Sequence, residues 1–375
     1  MISQRNLVVL GAAGVAAMAL ALWAASAHRN GEAMQSGGSV LPGFTDRVNT
    51  VTEVHIFKGD GTRTTLTRTP TGWLVGERGY PADAGAIRKL LLDLANLSVV
   101  EEKTSDPALY AQLGVEDVKG VQAKGTEVDV VEPGSTVKLI VGKPAADGGY
   151  LRVVGQPQSL LAMPQLSPEA DPTQWLDRTL LDISSDRVKE VELSPEESPA
   201  YSITRRDAKQ PDFTVNGIPR GRELLSPSIA DPIAAALTGL QLDDVRKNAV
   251  TTGAEHVIFK TFDGLDIRVT GSRDGDRRYL IVAASSTGAP AVKAQADAIN
   301  ARTQGWDFEV PAYKYDAIFK KLDDLLKQPE KPARRPRKGA SVALPLAPGA
   351  ASRRAGALPY SPAGSAPQAS PVPQK

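Results

Sequence analysis

The chain has 375 residues, enough for two folded units plus ends, and its 44 Lys/Arg and 43 Asp/Glu leave a net charge of +1. It has no cysteine, which excludes disulfides, thiolate metal sites and a cysteine nucleophile, and its three histidines (His28, His55, His256) are too scattered for a His-rich zinc site or a Ser-His-Asp triad. From Lys327 onward nine Lys/Arg face the single acidic Glu330. That leaves 35 basic and 42 acidic residues before it, a net −7, so the folded body is not the basic surface of a nucleic-acid binder.

Residues 1–6 are read as a short cytoplasmic N-terminus. Leu7 to Ala27 then run without a charge. As a helix this run would be roughly 31 Å long, close to the roughly 30 Å hydrocarbon core of a bilayer. The lipid bilayer is therefore an expected partner through 7–27. Ala25-Ser26-Ala27 resembles a signal-peptide cleavage site, but the run exceeds the usual apolar region of such peptides, which favours an uncleaved anchor. Either way the bulk of the chain is expected outside the cytoplasm. Residues 28–43, polar and Gly/Ser-rich, are read as a flexible stalk.

The body is expected over 44–327, as two related units at 44–185 and 186–327. Val51-Thr-Glu-Val-His-Ile56 is echoed by Val188-Lys-Glu-Val-Glu-Leu193, Leu66-Thr-Arg by Ile203-Thr-Arg, and Tyr150-Leu-Arg-Val-Val by Tyr279-Leu-Ile-Val-Ala. Alternating polarity predicts strands at Thr52–Phe57 and Thr64–Arg68, joined through Gly59-Asp60-Gly61. Asp-Gly pairs at 147–148, 263–264 and 274–275 mark further hairpins. Asp83 is placed to cap a helix whose Ile87, Leu90, Leu91, Leu94 and Leu97 share one face. A second helix is expected over roughly Ser226 to Leu240 and a last one over Tyr315 to Leu326. The fold class expected is α+β: two β-hairpin-plus-helix units in tandem behind one transmembrane helix. Residues 328–375 hold ten prolines and few large apolar groups, the composition of a disordered tail.

No motif commits the chain to a reaction. Ser135-Thr-Val-Lys138 has the S-x-x-K spacing, but it lies at a turn leading into a strand, where residues three apart face opposite sides. Asp243-Asp244 and Asp323-Asp324 read as solvated carboxylates. Trp73, Trp175 and Trp306 stand beside apolar residues and are expected in the core, with stacking on sugars as the alternative. Tyr80 and Asp83 are the candidates for a partner surface, against a plain role in packing and capping. No cofactor, metal or catalytic residue is expected.

Arg5-Asn6-Leu7, Gly72-Trp73, Tyr80-Pro81-Ala82-Asp83, Tyr110-Ala-Gln-Leu-Gly114 and Trp175-Leu-Asp-Arg-Thr-Leu-Leu181, in this order, resemble the DUF4340 family over roughly 1–327. The second unit departs from the pattern, with Gly217-Ile-Pro-Arg220 where the first has Tyr-Pro-Ala-Asp. The resemblance implies a bacterial envelope protein at the inner membrane, with relatives associated with ABC-type transport and similar to accessory components of gliding-motility transporters. It supplies no catalytic residues. The expected function is thus a membrane-anchored extracytoplasmic accessory or scaffold protein that meets membrane transport subunits. The alternative is an envelope glycan-binding module or hydrolase.

Overall fold

The strand signals dominate the molecule. In the computed structural model, which describes residues 37–248 and 255–328, alternation in Glu53–Lys58 (β1) puts Val54 and Ile56 fully in the core and leaves Glu53, His55 and Phe57 on the other face. The Asp60-Gly61 turn returns the chain into Arg63–Thr69 (β2). Gly72–Val75 (β3) and Tyr80–Pro81 (β4) continue outward from β2. Ser98–Glu102 (β5), Thr126–Glu132 (β6), Ser135–Ala145 (β7), Gly148–Val153 (β8) and Ser159–Met163 (β9) complete a nine-stranded antiparallel sheet in the order β4-β3-β2-β1-β6-β7-β8-β9-β5.

After Thr179–Leu181 (β10) come Val188–Ser194 (β11), Tyr201–Thr204 (β12) and Thr214–Asn216 (β13). Leu240–Gln241 (β14) pairs with β10. Asp244–Lys247 (β15), Glu255–Thr261 (β16), Leu265–Asp274 (β17), Arg277–Ser286 (β18) and Trp306–Glu309 (β19) follow. The second sheet has eight antiparallel strands in the order β13-β12-β11-β16-β17-β18-β19-β15. Apart from β4, each position in one order has a counterpart ten labels away in the other. The Asp-Gly pairs at 147–148, 263–264 and 274–275 sit at the expected hairpin turns.

The molecule is mostly β with a few short helices, which corrects the α+β expectation. Ala84–Ala95 (α1) forms as expected: Asp83 Oδ1 accepts from the Gly85 and Ala86 amides at 2.7 and 3.1 Å, and Ile87, Leu90, Leu91 and Leu94 are buried. The helix expected over Ser226–Leu240 contracts to Asp231–Ala234 (α2). Two prolines, Pro227 and Pro232, suit a first turn but cannot both sit inside one helix, and Leu237 and Leu240 are buried from turns and a short strand instead. The last expected helix splits into Ala312–Ile318 (α4) and a 3-10 turn at Leu322–Leu325, with Phe319 in neither. A helix that periodicity did not mark, Pro290–Thr303 (α3), packs against β18, burying only Ala296 and Thr303.

Residues 37–43, read above as the end of a stalk, are tied into the body. Gly37 N–H donates to Val99 O at 2.7 Å, Val99 N–H to Gly38 O at 2.8 Å and Val40 N–H to Leu97 O at 2.8 Å, covering β5, the last strand of its sheet. Val40 and Leu41 are buried, so apolar burial and the unmet hydrogen bonds of the sheet edge both order this stretch. One hydrophobic core holds residues of both sheets, and Gly37–Lys327 lies within one compact unit. The transmembrane segment expected at 7–27, the N-terminus, the rest of the expected stalk and all but the first residue of the tail lie outside the described residues. Among the described residues no helix is long and apolar enough to cross a membrane.

Candidate functional site

The two sequence candidates, Tyr80 and Asp83, are explained by packing and capping. Tyr80 is 1% exposed on β4. Its ring meets Trp306 edge-on, with centroids 5.2 Å apart, and Phe308 at 5.9 Å. Its contact area is therefore used between the two sheets and is not open to a separate partner. Its hydroxyl, buried, has no hydrogen-bond partner, and burial raises its pKa, with the Arg302 guanidinium pulling the other way. Asp83 is exposed, and its carboxylate serves α1.

Beside Tyr80 lies the richest convergence of charge, a cavity of about 450 Å³ at the junction of the sheets. The β3–β4 turn supplies Glu77 and Arg78; β15, β17, β18 and β19 supply Asp244, Arg246, Asp274, Arg277, Tyr279 and Glu309. Arg78 forks onto Asp244: Nε donates to Oδ1 at 2.6 Å and Nη2 to Oδ2 at 2.9 Å. The Asp244 hydrogen bond raises the Arg78 pKa. Arg246 lies 3.6 Å from the Tyr279 ring centre and donates to Asp307 Oδ2 at 3.1 Å and Asp274 Oδ2 at 3.0 Å. Burial works against its charge, but the two carboxylates outweigh it and raise its pKa. Asp307 is fully buried and its Oδ1 has no partner. Lys247 sits over the Trp306 ring at 3.6 Å, and Arg277 reaches Glu309 at 3.7 Å.

The lining holds four cations and four carboxylates. Most are already matched to one another, so the cleft has a balanced field that suits joining two surfaces or holding a ligand carrying both signs. Sequence reasoning missed these residues. Asp244 was read as solvated, whereas its side chain is mostly buried against a residue 166 positions away.

The remaining candidates separate. Ser135 and Lys138 are on strand β7 and bond to different carboxylates: Ser135 Oγ donates to Glu132 Oε2 at 3.1 Å and Lys138 Nζ to Asp129 Oδ2 at 2.6 Å. Asp323 and Asp324 pair loosely with Arg222 and Lys320, at 3.6 and 3.8 Å. Trp175 is buried, its indole N–H donating to Glu169 O at 2.7 Å, and Trp306 is buried under Lys247. Trp73 is half-buried and lines a groove beside α1. Among the described residues no group of three His, Asp or Glu is arranged to hold a metal ion.

Comparison with known proteins gives one match. No curated protein and no solved structure is significantly similar to the chain. Residues 73–256 match the family model described as a domain of unknown function, DUF4340, a span that runs from Trp73 on β3 through the rest of the first sheet to the start of β16. The chain carries a DUF4340 domain over residues 73–256.

Proposed function

We propose that the chain is a membrane-anchored extracytoplasmic accessory or scaffold protein of an ABC-type envelope transport system, held at the bacterial inner membrane by Leu7–Ala27. The observation that carries this reading is the seating of Tyr80 between Trp306 and Phe308, backed by the Arg78–Asp244 fork. These contacts lock two broad sheets into one stiff body, which is the mechanical property a tethered scaffold needs. The matching strand orders support reading the sheets as two copies of one unit, at about 44–185 and 186–327. Duplication of that kind lengthens a body while reusing one folding solution.

Capture of the full chain from membranes at native expression tests the reading. Recovery of permease or ATPase subunits of an ABC transporter is expected; their absence overturns it. The glycan-binding alternative asks for tryptophan faces open to sugar. Burial of Trp175 and Trp306 leaves it, among the described residues, Trp73 alone, so the scaffold reading is preferred.

A further inference from the structure

The half-buried Trp73 belongs to a groove that packing and capping do not explain. The groove has a volume of about 510 Å³. Arg68, Pro70 and Trp73 form one wall, and Arg88, Leu91 and Leu92 of α1 the other. Its lining includes two arginines and no carboxylate. Leu92 is 47% exposed, a large apolar side chain on the water-facing side of α1, beside the exposed Arg88 and Lys89 and close to the C-terminal end of the helix. Arg68 is exposed, lies 6.0 Å from the Trp73 ring centre and donates through Nη1 to Asn49 O at 2.5 Å and Val51 O at 3.4 Å. Arg88 is exposed on the helix surface.

The position of this groove relative to the tether gives it a partner. The first described residue, Gly37, is paired with β5, and nine residues, 28–36, separate it from the apolar run. Fully extended they reach at most about 32 Å. The described segment from Gly37 runs along the C-terminal end of α1, where Val40 N–H meets Leu97 O at 2.8 Å and Thr45 Oγ1 donates to Ala95 O at 3.3 Å. Leu92 is one turn away from that point. The short tether thus brings the end of the body bearing the groove close to the bilayer.

We propose that this groove docks on the anionic lipid surface of the membrane carrying the tether. Leu92 and the edge of Trp73 enter the interfacial layer, and Arg68 and Arg88 meet lipid phosphates. Aromatic and aliphatic groups ringed by arginine are the combination that interfacial binding uses, and each cation near an anionic surface adds to it. The inference rests on Leu7–Ala27 being an anchor, and the experiment separates the two.

The natural chain has no cysteine, so single cysteine substitutions carry a nitroxide label without background. The full chain is reconstituted in nanodiscs of phosphatidylcholine with and without phosphatidylglycerol, and collision with oxygen is compared with collision with a water-soluble nickel chelate. A label at Ala16→Cys reads the anchor. A label at Val121→Cys, 74% exposed beside Gly120 where that residue closes on Gly59 at the far end of the β1–β2 hairpin, reads bulk water. A label at Leu92→Cys is expected to become severalfold more protected from the chelate in phosphatidylglycerol discs. Adding Arg68→Glu and Arg88→Glu should return it to the Val121 value. A lipid-embedded Ala16 label with a Leu92 label as exposed as Val121 overturns the docking and leaves the anchor standing. An Ala16 label in water overturns both. A Leu92 label protected only in native membranes, or only by added cell-wall glycan, assigns the groove to another partner and overturns the lipid assignment.

Discussion

Arg78 and Asp244 meet as a two-bond fork across the junction of the two sheets, although 166 residues separate them in the chain. Both side chains are mostly buried, at 29% and 21% exposure. A pair so placed lies between a surface ion pair and a buried one. A double-mutant cycle with Arg78→Ala and Asp244→Ala is expected to give a coupling of about 1 kcal/mol that shrinks as salt is added. Arg78→Lys should recover little of it, because an ammonium cannot donate along two parallel bonds. Urea denaturation at low and high ionic strength measures both.

The Tyr80 pocket makes a sharper pair of predictions. Tyr80→Ala removes a fully buried ring between Trp306 and Phe308 and should cost about 3–5 kcal/mol. Tyr80→Phe removes only a hydroxyl that has no partner, so it should be neutral or stabilising by up to about 1 kcal/mol. A loss above about 2 kcal/mol for the phenylalanine variant in chemical denaturation would contradict an unpaired hydroxyl.

Gly271 lies on β17 with φ in the ordinary range, so its role is space. A Cβ there would fall 2.5 Å from the Tyr315 hydroxyl and 2.7 Å from the Phe319 ring. Tyr315 is fully buried and donates to Glu255, which Arg273 also approaches at 3.3 Å. Gly271→Ala is therefore expected to cost about 1–3 kcal/mol by overpacking. The shift in thermal midpoint checks it.

On the face of the first sheet away from the core, Glu127 is held above the usual carboxylate range, first by burial and then by the Asp129 charge, with Lys138 only partly offsetting them. A raised acid contributes its stability in full below its unfolded value and loses it as pH rises through the folded one. Glu127→Gln should then stabilise the protein at neutral pH and make little difference in acid. Asp117 acts in the opposite sense. Hydrogen bonds from Lys119 and Arg152 lower it, so its contribution is present at neutral pH and is lost as pH falls through its folded value. Urea midpoints of the natural chain, Glu127→Gln and Asp117→Asn across acid to neutral pH separate the two trends.

What could be read from residues alone follows from range. The hairpins were legible because alternation and Asp-Gly turns act over a few residues, and α1 was legible because its leucines and its Asp83 cap are local. α3 was invisible: its buried face is Ala296 and Thr303, too small to mark a period. The 226–240 stretch carried helical spacing in its apolar residues, but those residues pack from turns. Nothing around Arg78 or Asp244 announces the other, because the cleft exists only once both sheets have formed and met. Tyr80 and Asp83 stood out in sequence for the same local reasons that now explain them, a buried ring and a helix cap.

The ladder between Gly37–Val40 and β5 has a practical corollary for anyone trimming the chain. Those few residues occupy what would otherwise be a bare edge of the nine-stranded sheet. A version begun after Val40 would present the Val99 amide and carbonyl to its neighbours, and sheets left open in this way recruit strands from other molecules. The shortened protein would be prone to self-association through that border, and an added lysine or proline on β5 would be the remedy to try first.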